Sequence, residues 1–144
     1  MDIGLLASIL SISIAAGTSL VYATLGEIVT ERAGILNLGV EGMMIMGAVT
    51  GFAAAFHTDS VLIGIVVAML VGALMSAIHA FVTITLLADQ VVSGLAMTLF
   101  GAGLASFLGQ RLGPSGSPLV GQIGPRFERI ALPVLSELDI VGDA

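Results

Sequence analysis

Four long apolar runs separated by short polar stretches make up most of this chain. Asp, Glu, Lys and Arg are absent from four segments, residues 3–25, 42–56, 61–87 and 91–108. A helix of about 20 apolar residues is long enough to cross the hydrocarbon of a bilayer. Three segments reach or approach that length, and the second does so only if its helix begins near residue 36. We therefore predict four membrane helices, at about residues 3–25, 36–56, 61–87 and 90–109.

Of the polar stretches between the apolar runs, residues 26–47 contain the most densely charged one. Four ionisable side chains lie there, those of Glu27, Glu31, Arg32 and Glu41. A charge at the bilayer centre costs about 2.5 to 3.5 kcal/mol on insertion scales. Charges this dense indicate either a membrane surface or a wet cavity enclosed by protein. Because several glycines share the stretch, we expect a discontinuous second helix that begins with broken backbone.

Two interpretations stay open for Asn37 and Glu41. In the first, Asn37 caps the second helix and Glu41 is favoured by the dipole of its first turn. In the second, both side chains face a polar path, where the Asn37 amide offers a donor and an acceptor to a solute. The charges of Glu27, Glu31 and Arg32 require only a solvated connection between helices.

Small residues recur at helical spacing and predict close helix packing. From residue 64 to residue 80 a small residue stands at every fourth position, and a G-x-x-x-G pair stands in the second helix. Such rows let helix backbones approach closely in lipid. We expect the third helix to be central in the bundle. The predicted packing residues are Gly47, Gly51, Gly64, Ala68, Gly72 and Ser76.

The first helix carries its small and polar residues on one face, at Ser8, Ser11, Ala15, Thr18 and Tyr22. This face is either a packing seam, in which hydroxyls bond backbone or a neighbouring helix, or a stripe that faces a lumen. Three methionines at residues 43, 44 and 46 are typical of apolar filler, although flexible thioethers also suit an adaptable binding surface.

Polar residues near the predicted helix ends include candidate helix caps and the two histidines of the chain. Asp59 or Ser60 is expected to cap the third helix, and Asp89 the fourth. His57 lies in the polar turn and is expected to be solvated. His79 lies within a membrane segment, where a histidine is a functional candidate, but its place near the helix end favours a hydrogen-bonded histidine at the interface.

Beyond residue 109 the composition changes. Residues 110–144 are rich in Gly and Pro, which predicts a turn-rich loop. A mildly amphipathic segment at residues 130–140 is suited to the membrane interface. The first apolar run lacks a basic leader and is too long for a signal-peptide core, so we interpret it as a retained first helix.

Composition excludes several classes of protein. The chain is 57% hydrophobic and 10% charged, and its mean hydropathy is +1.13, which predicts an all-α, polytopic transmembrane bundle. Lysine and cysteine are absent, so the chain holds no Walker A lysine and no thiolate metal site. The net charge of −6 comes from scattered acids, so nucleic acid is not an expected partner. We predict no catalytic residue, metal or cofactor in this chain.

Residues 26–44 resemble one family of transport proteins. The motifs are GE at residues 26–27, ERAG at 31–34, NLG at 37–39 and EGMM at 41–44. They are similar to the permease subunits of ATP-binding-cassette importers for branched-chain amino acids, ribose-type sugars and nucleosides, and most of all to the nucleoside or simple-sugar branch. QVVSGLA at residues 90–96 is a second likeness, in which Asp89 stands where the family usually has Asn. LPVLS at residues 132–136 is a third.

The resemblance implies a membrane path that works by alternating access in a multi-pass protein of the cell membrane. It also implies three protein partners: a separate ABC ATPase, a second permease subunit and an extracytoplasmic substrate-binding lipoprotein. The substrate-path candidates are Asn37, Glu41 and Ser93. The likeness covers about the first half of such a permease, so we expect the chain to be a fragment that stops before a further helix.

The sequence leaves alternatives open for both the orientation in the membrane and the function. Three of the four arginines lie beyond residue 110, which by the positive-inside rule places that segment in the cytoplasm, whereas the resemblance places it outside. One functional alternative is a membrane fragment or scaffold without transport activity. An intramembrane enzyme, with Glu41 as base and His79 as its partner, is the other, but no metal or nucleophile motif supports it.

Overall fold

The computed structural model describes residues 3–127, and the secondary structure there is entirely helical. Its elements are α1 (Ile3–Arg32), α2 (Val40–Thr58), α3 (Val61–Ala80), a π-helical turn (Phe81–Thr85), α4 (Gln90–Gly109) and a 3-10 turn (Pro114–Gly116). Four helices in the described range are long and apolar enough to cross a membrane. These four helices confirm the predicted fold class. The interfacial segment at residues 130–140 and the LPVLS motif lie outside the described residues.

The bounds of α1 and α2 differ from the predicted ones where the two helices are connected. α1 continues to Arg32, so Glu27 and Glu31 are helical residues and do not lie in a loop. α2 begins at Val40 and not near residue 36. The expected break therefore falls at residues 33–39, which we call the α1–α2 connection. Residues 27–127 form one compact unit, and the part of α1 before residue 27 belongs to a separate unit.

Hydroxyl groups on α1 bond to their own helix. Ser8 Oγ donates to Gly4 O at 2.9 Å, and Thr18 Oγ1 donates to Ile14 O at 2.8 Å. Such bonds satisfy a hydroxyl group in an apolar environment without a partner on another helix. Because each of these hydroxyl groups bonds its own helix, the bonds are compatible with both interpretations of this face.

α2 and α3 pack through glycine and alanine. A Cβ atom built on Gly51 would lie 2.9 Å from Gly64 O and 2.9 Å from Ala68 Cβ, and one built on Gly64 would lie 2.8 Å from Gly51 O. Gly47 lies beside Ala68 O with ordinary contact distances. The two backbones are therefore as close as their small residues permit. Gly72, two turns further along α3, has nothing within 4 Å of such a Cβ atom.

α2 and α4 cross at two further glycines. A Cβ atom on Gly101 would lie 2.5 Å from Gly42 O, and one on Gly42 would lie 2.5 Å from Met97 O. Four methionines and one alanine form the buried apolar cluster beside this crossing, namely Met43, Met46, Met75, Met97 and Ala105. α2 thus packs on both α3 and α4, so the prediction that the third helix is central is wrong for residues 27–127, where α2 takes that place. Met43 and Met46 fill the core, as expected of apolar filler.

Two of the expected helix caps are confirmed. Asp89 accepts a hydrogen bond from Val92 N at 2.9 Å and caps α4, whose bounds match the predicted ones. Ser60 accepts from Ile63 N at 3.5 Å and caps α3. Asn37 is not the N-cap residue of α2, because that position is Gly39, and the Asn37 side chain bonds the N–H of Gly39 itself.

His57 was expected to be solvated in a turn, but it lies in the last turn of α2. Its ring is exposed, yet Nε2 lies 2.7 Å from Leu112 O. Because a carbonyl oxygen only accepts, Nε2 donates this bond. The bond ties the end of α2 to the segment that follows α4.

Candidate functional site

The first helix ends at Gly34, whose left-handed backbone conformation is one that glycine adopts readily. Gly34 has a φ of +83°. Its N–H donates to Glu31 O at 2.9 Å, and Ile35 N donates to Thr30 O at 3.0 Å. This pair of bonds and a left-handed glycine define a Schellman C-cap. The ERAG motif therefore stops α1 and turns the chain into the α1–α2 connection.

Gln90, the first residue of α4, holds the connection with both ends of its amide. Its Oε1 accepts from Leu36 N at 2.7 Å, and its Nε2 donates to Gly34 O at 3.3 Å. The two partners lie 54 and 56 residues away in the sequence. The side chain thus replaces hydrogen bonds that a helix would have made within its own backbone.

Glu27 and Asn37 hold the next peptide. Glu27 Oε1 accepts from Asn37 N at 2.9 Å, and Glu27 Oε2 accepts from Thr30 Oγ1 at 3.3 Å. The Asn37 side chain is buried, and its Oδ1 accepts from Gly39 N at 3.0 Å. This bond is an Asx turn, which leads the chain into α2.

His79 and Thr98 reach the connection from α3 and α4. His79 Nε2 lies 3.4 Å from Leu36 O, and its Nδ1 lies 3.0 Å from Ser93 Oγ. Thr98 Oγ1 donates to Leu38 O at 2.9 Å. Side chains from three helices therefore bond the backbone of residues 34–38. We call Glu27, His79, Gln90 and Thr98 the polar clamp.

The connection also packs against α4 without space for larger residues. A Cβ atom on Gly94 would lie 2.9 Å from Leu38 N, and one on Gly39 would lie 2.9 Å from Met97 Cβ. Gly94 belongs to the QVVSGLA motif and Gly39 to the NLG motif, so the two motifs meet in space. Within the described residues, no buried side-chain nitrogen or oxygen lacks a hydrogen-bond partner.

Non-helical backbone at membrane depth persists only where protein or a water-filled cavity satisfies its polar groups. The polar clamp supplies such partners for four residues of the connection, Gly34, Leu36, Asn37 and Leu38. Ligand and ion sites of membrane transporters often lie at breaks of this kind, beside helix ends. No group of three or more His, Cys, Asp and Glu residues within residues 3–127 could hold a metal ion.

The structure separates the three substrate-path candidates. Asn37 is buried and bonded within the connection, Ser93 is half-buried against His79, and Glu41 is exposed in the first turn of α2. Asn37 and Ser93 thus take part in supporting the connection, and Glu41 offers its carboxylate outside it. The Glu41–His79 pair that an intramembrane enzyme would use is not seen, since the two nitrogens of His79 face Ser93 and Leu36 O.

Sequence reasoning did not identify Glu27, Gln90 and Thr98 as members of the site. Glu27 was assigned to a solvated connection, Gln90 was considered only as part of the QVVSGLA motif, and Thr98 was not considered as a site residue. A signal was present for one feature of this region: a glycine followed by an apolar residue, as in Gly34 and Ile35, is typical of a Schellman cap. Periodicity carries no information on contacts between residues 43 to 60 positions apart.

The four apolar helices and the clamped break between the first two of them define a polytopic, all-helical membrane protein. A family model described as "Branched-chain amino acid transport system / permease component" matches residues 8–130. The chain belongs to this family, and family membership with four candidate spans identifies it as a multi-pass protein of the cell membrane.

Curated relatives carry the names of transporter permeases and not of enzymes. The chain is 39% identical over 142 residues to the "Putative glucose ABC transporter permease protein TsgC13" of Haloferax volcanii, which covers 96% of this chain and 41% of that protein. It is 32% identical to the guanosine ABC transporter permease protein NupQ of Bacillus subtilis, over 91% of this chain and 44% of the relative. It is 33% identical to the nucleoside ABC transporter permease protein NupC of Lactococcus lactis, over 87% and 40%.

The chain therefore spans less than half the length of the curated relatives that it matches. No solved structure matches it. The resemblance that the ERAG, NLG and EGMM motifs indicated is confirmed by the family model and by these relatives.

Proposed function

We propose that this chain forms part of the translocation path of an ATP-driven importer for nucleosides or simple sugars. Three relatives named for glucose, guanosine and nucleoside transport support the solute class. The single structural observation that carries the proposal is the α1–α2 connection, whose non-helical backbone is bonded by side chains from α1, α3 and α4.

ATP hydrolysis in this proposal is the work of a separate ABC ATPase. A second permease subunit completes the membrane path, and an extracytoplasmic binding lipoprotein delivers the solute. The chain has no lysine for a nucleotide phosphate, which agrees with this division of labour. Transport by alternating access then requires the helices around the connection to change their relative positions.

Within the path, we assign solute contact to Glu41 and support to Asn37 and Ser93. Glu41 is exposed at the start of α2, directly after the connection. A carboxylate accepts hydrogen bonds from the hydroxyl groups that sugars and nucleosides share. Asn37 and Ser93 use polar atoms to hold the connection and the ring of His79.

Uptake of radiolabelled guanosine and glucose tests the proposal. Disruption of the locus that encodes the chain is expected to abolish uptake of one of these solutes, and complementation with the intact locus to restore it. Competition by unlabelled nucleosides and sugars then defines the solute class. Unchanged uptake of both solutes after disruption would refute the proposed function.

Substitution of Glu41 tests its role in the complemented strain. Glu41→Ala is expected to lower uptake roughly fivefold, the effect of losing one hydrogen bond of about 1 kcal/mol. Glu31→Ala is the matched control, because Glu31 is also an exposed carboxylate and lies near the end of α1. Equal uptake by the two variants would remove Glu41 from the path.

A further inference from the structure

His79 is the most deeply buried polar residue in the described chain. Its side chain is 2% exposed, compared with 6% for Asn37 and 6% for Thr83. It stands near the end of α3, where α4 and the α1–α2 connection meet. The proposed function assigns no contact with a solute to this residue, so its burial and its bonds require another explanation.

The two ring nitrogens of His79 have different partners. Leu36 O, 3.4 Å from Nε2, only accepts, so Nε2 carries the proton and donates. In the neutral ring, Nδ1 then accepts from the Ser93 hydroxyl group at 3.0 Å. Ser93 thereby fixes the orientation of the ring, and Nε2 extends the contact from α4 through α3 to the connection.

The backbone N–H and the backbone carbonyl oxygen of Leu36 both have side-chain partners. Gln90 Oε1 accepts its N–H at 2.7 Å, and His79 contacts its carbonyl oxygen. Its carbonyl belongs to the peptide whose N–H is that of Asn37, which donates to Glu27 Oε1 at 2.9 Å. The position of this peptide determines where α2 begins, and therefore where Glu41 lies.

We propose that His79 is a positioning residue: its Nε2–H holds Leu36 O and so sets the place of the connection and of Glu41 during solute passage. This inference rests on the proposed function. It predicts that the donor at Nε2 matters more than the acceptor at Nδ1.

Two amide substitutions separate the two nitrogens. Gln places its amide nitrogen near the position of Nε2, so His79→Gln keeps a donor for Leu36 O. Asn reaches only the position of Nδ1, so His79→Asn keeps a partner for Ser93 and loses the donor. The intact permease with its partners is the system to use, and the maximal uptake rate per permease in the membrane is the readout.

We expect His79→Gln to retain more than half of the wild-type rate and His79→Asn to lose roughly fivefold, the effect of one lost hydrogen bond. His57→Asn is the control, since His57 bonds Leu112 O in the last turn of α2. We expect it to match wild type. Equal rates for the Gln and Asn variants, whether high or low, would overturn the inference.

A second measurement does not depend on transport. The described chain has no native cysteine, and Leu36→Cys keeps the backbone carbonyl while it adds a thiol at a half-buried position. Maleimide labelling at residue 36, followed by mass spectrometry, is expected to be roughly fivefold faster beside His79→Asn than beside His79→Gln. Equal labelling would refute the positioning role.

The two measurements also separate this inference from the proposed function. Wild-type permease without uptake of any tested solute refutes the function, and labelling then decides the positioning of Leu36 alone. Normal wild-type uptake with equal Gln and Asn variants leaves the proposed function intact and refutes only the role of His79.

Discussion

The α2–α3 contact and the α1–α2 connection hold backbone in place by opposite means. In the contact, glycine and alanine bring two regular helices together until a single Cβ atom on Gly51 or Gly64 would lie within 3 Å of the other helix. In the connection, the backbone is irregular, and polar side chains supply the bonds that a helix would have formed. Both arrangements lie in the unit of residues 27–127.

The difference predicts how each region fails. The α2–α3 contact depends on the small size of its residues. Lipid provides no hydrophobic driving force for helix association, so van der Waals contact at close approach must supply the attraction. The α1–α2 connection depends on the polar side-chain atoms of the clamp, because a polar group without a hydrogen-bond partner in an apolar environment costs free energy. Added atoms should therefore damage the contact, and removed atoms the connection.

Gly64→Ala should have the largest effect on stability. The new Cβ atom would lie 2.8 Å from Ala55 Cβ and 2.8 Å from Gly51 O, so a backbone must move. We expect a loss of about 2 to 3 kcal/mol in the free energy of unfolding, measured by circular dichroism in detergent against added SDS.

Gly72→Ala is the control on the same helix. It belongs to the same predicted row but meets nothing within 4 Å, and alanine is the better helix former by about 1 kcal/mol. We expect equal or higher stability. A comparable loss at both positions would show that the contact does not depend on close approach at Gly64.

Gln90→Ala tests the connection by removal. The change leaves Leu36 N and Gly34 O without their side-chain partners. We expect a loss of about 1 to 2 kcal/mol, measured by the same unfolding experiment. Gln90→Glu keeps the acceptor for Leu36 N and loses the donor to Gly34 O, so its loss should be smaller. If alanine and glutamate variants are both as stable as wild type, the bonds of Gln90 do not hold the connection.

Asp89→Ala should have the smallest of the three destabilising effects. It removes the cap bond from Val92 N while the backbone of the connection keeps its partners. A lost N-cap costs about 1 kcal/mol. Asp89→Asn keeps an acceptor and is expected to lie within a few tenths of wild type. A larger loss for Asp89→Ala than for Gln90→Ala would contradict the ranking of cap and clamp.

Sequence patterns predicted the helices and one face of the packing better than the site. The bounds of α4 followed from apolar length and from Asp89 as cap, because both signals are local. The row of small residues on α3 includes both close-packed Gly64 and open Gly72, since spacing within one helix does not show where a second helix crosses it.

The polar clamp was beyond prediction for a related reason. Charge density assigned Glu27 to a solvated loop, whereas the helix continues past it and its carboxylate accepts a backbone N–H ten residues on. Nothing in the side-chain chemistry of Gln90 marked it as a candidate site residue. Its importance comes from the two backbone atoms that the fold brings to it.

The π-helical turn at Phe81–Thr85 acts as a spacer of fixed length between His79 and Gln90. Leu86 N bonds to Phe81 O, one residue further back than in an α-helix. Each residue of a regular helix advances the chain by about 100° and 1.5 Å. A deletion that tightened this wide turn would therefore rotate its last residues by roughly that angle relative to His79, and the non-helical link at residues 86–89 would have to change its path for Gln90 to reach the backbone that it holds.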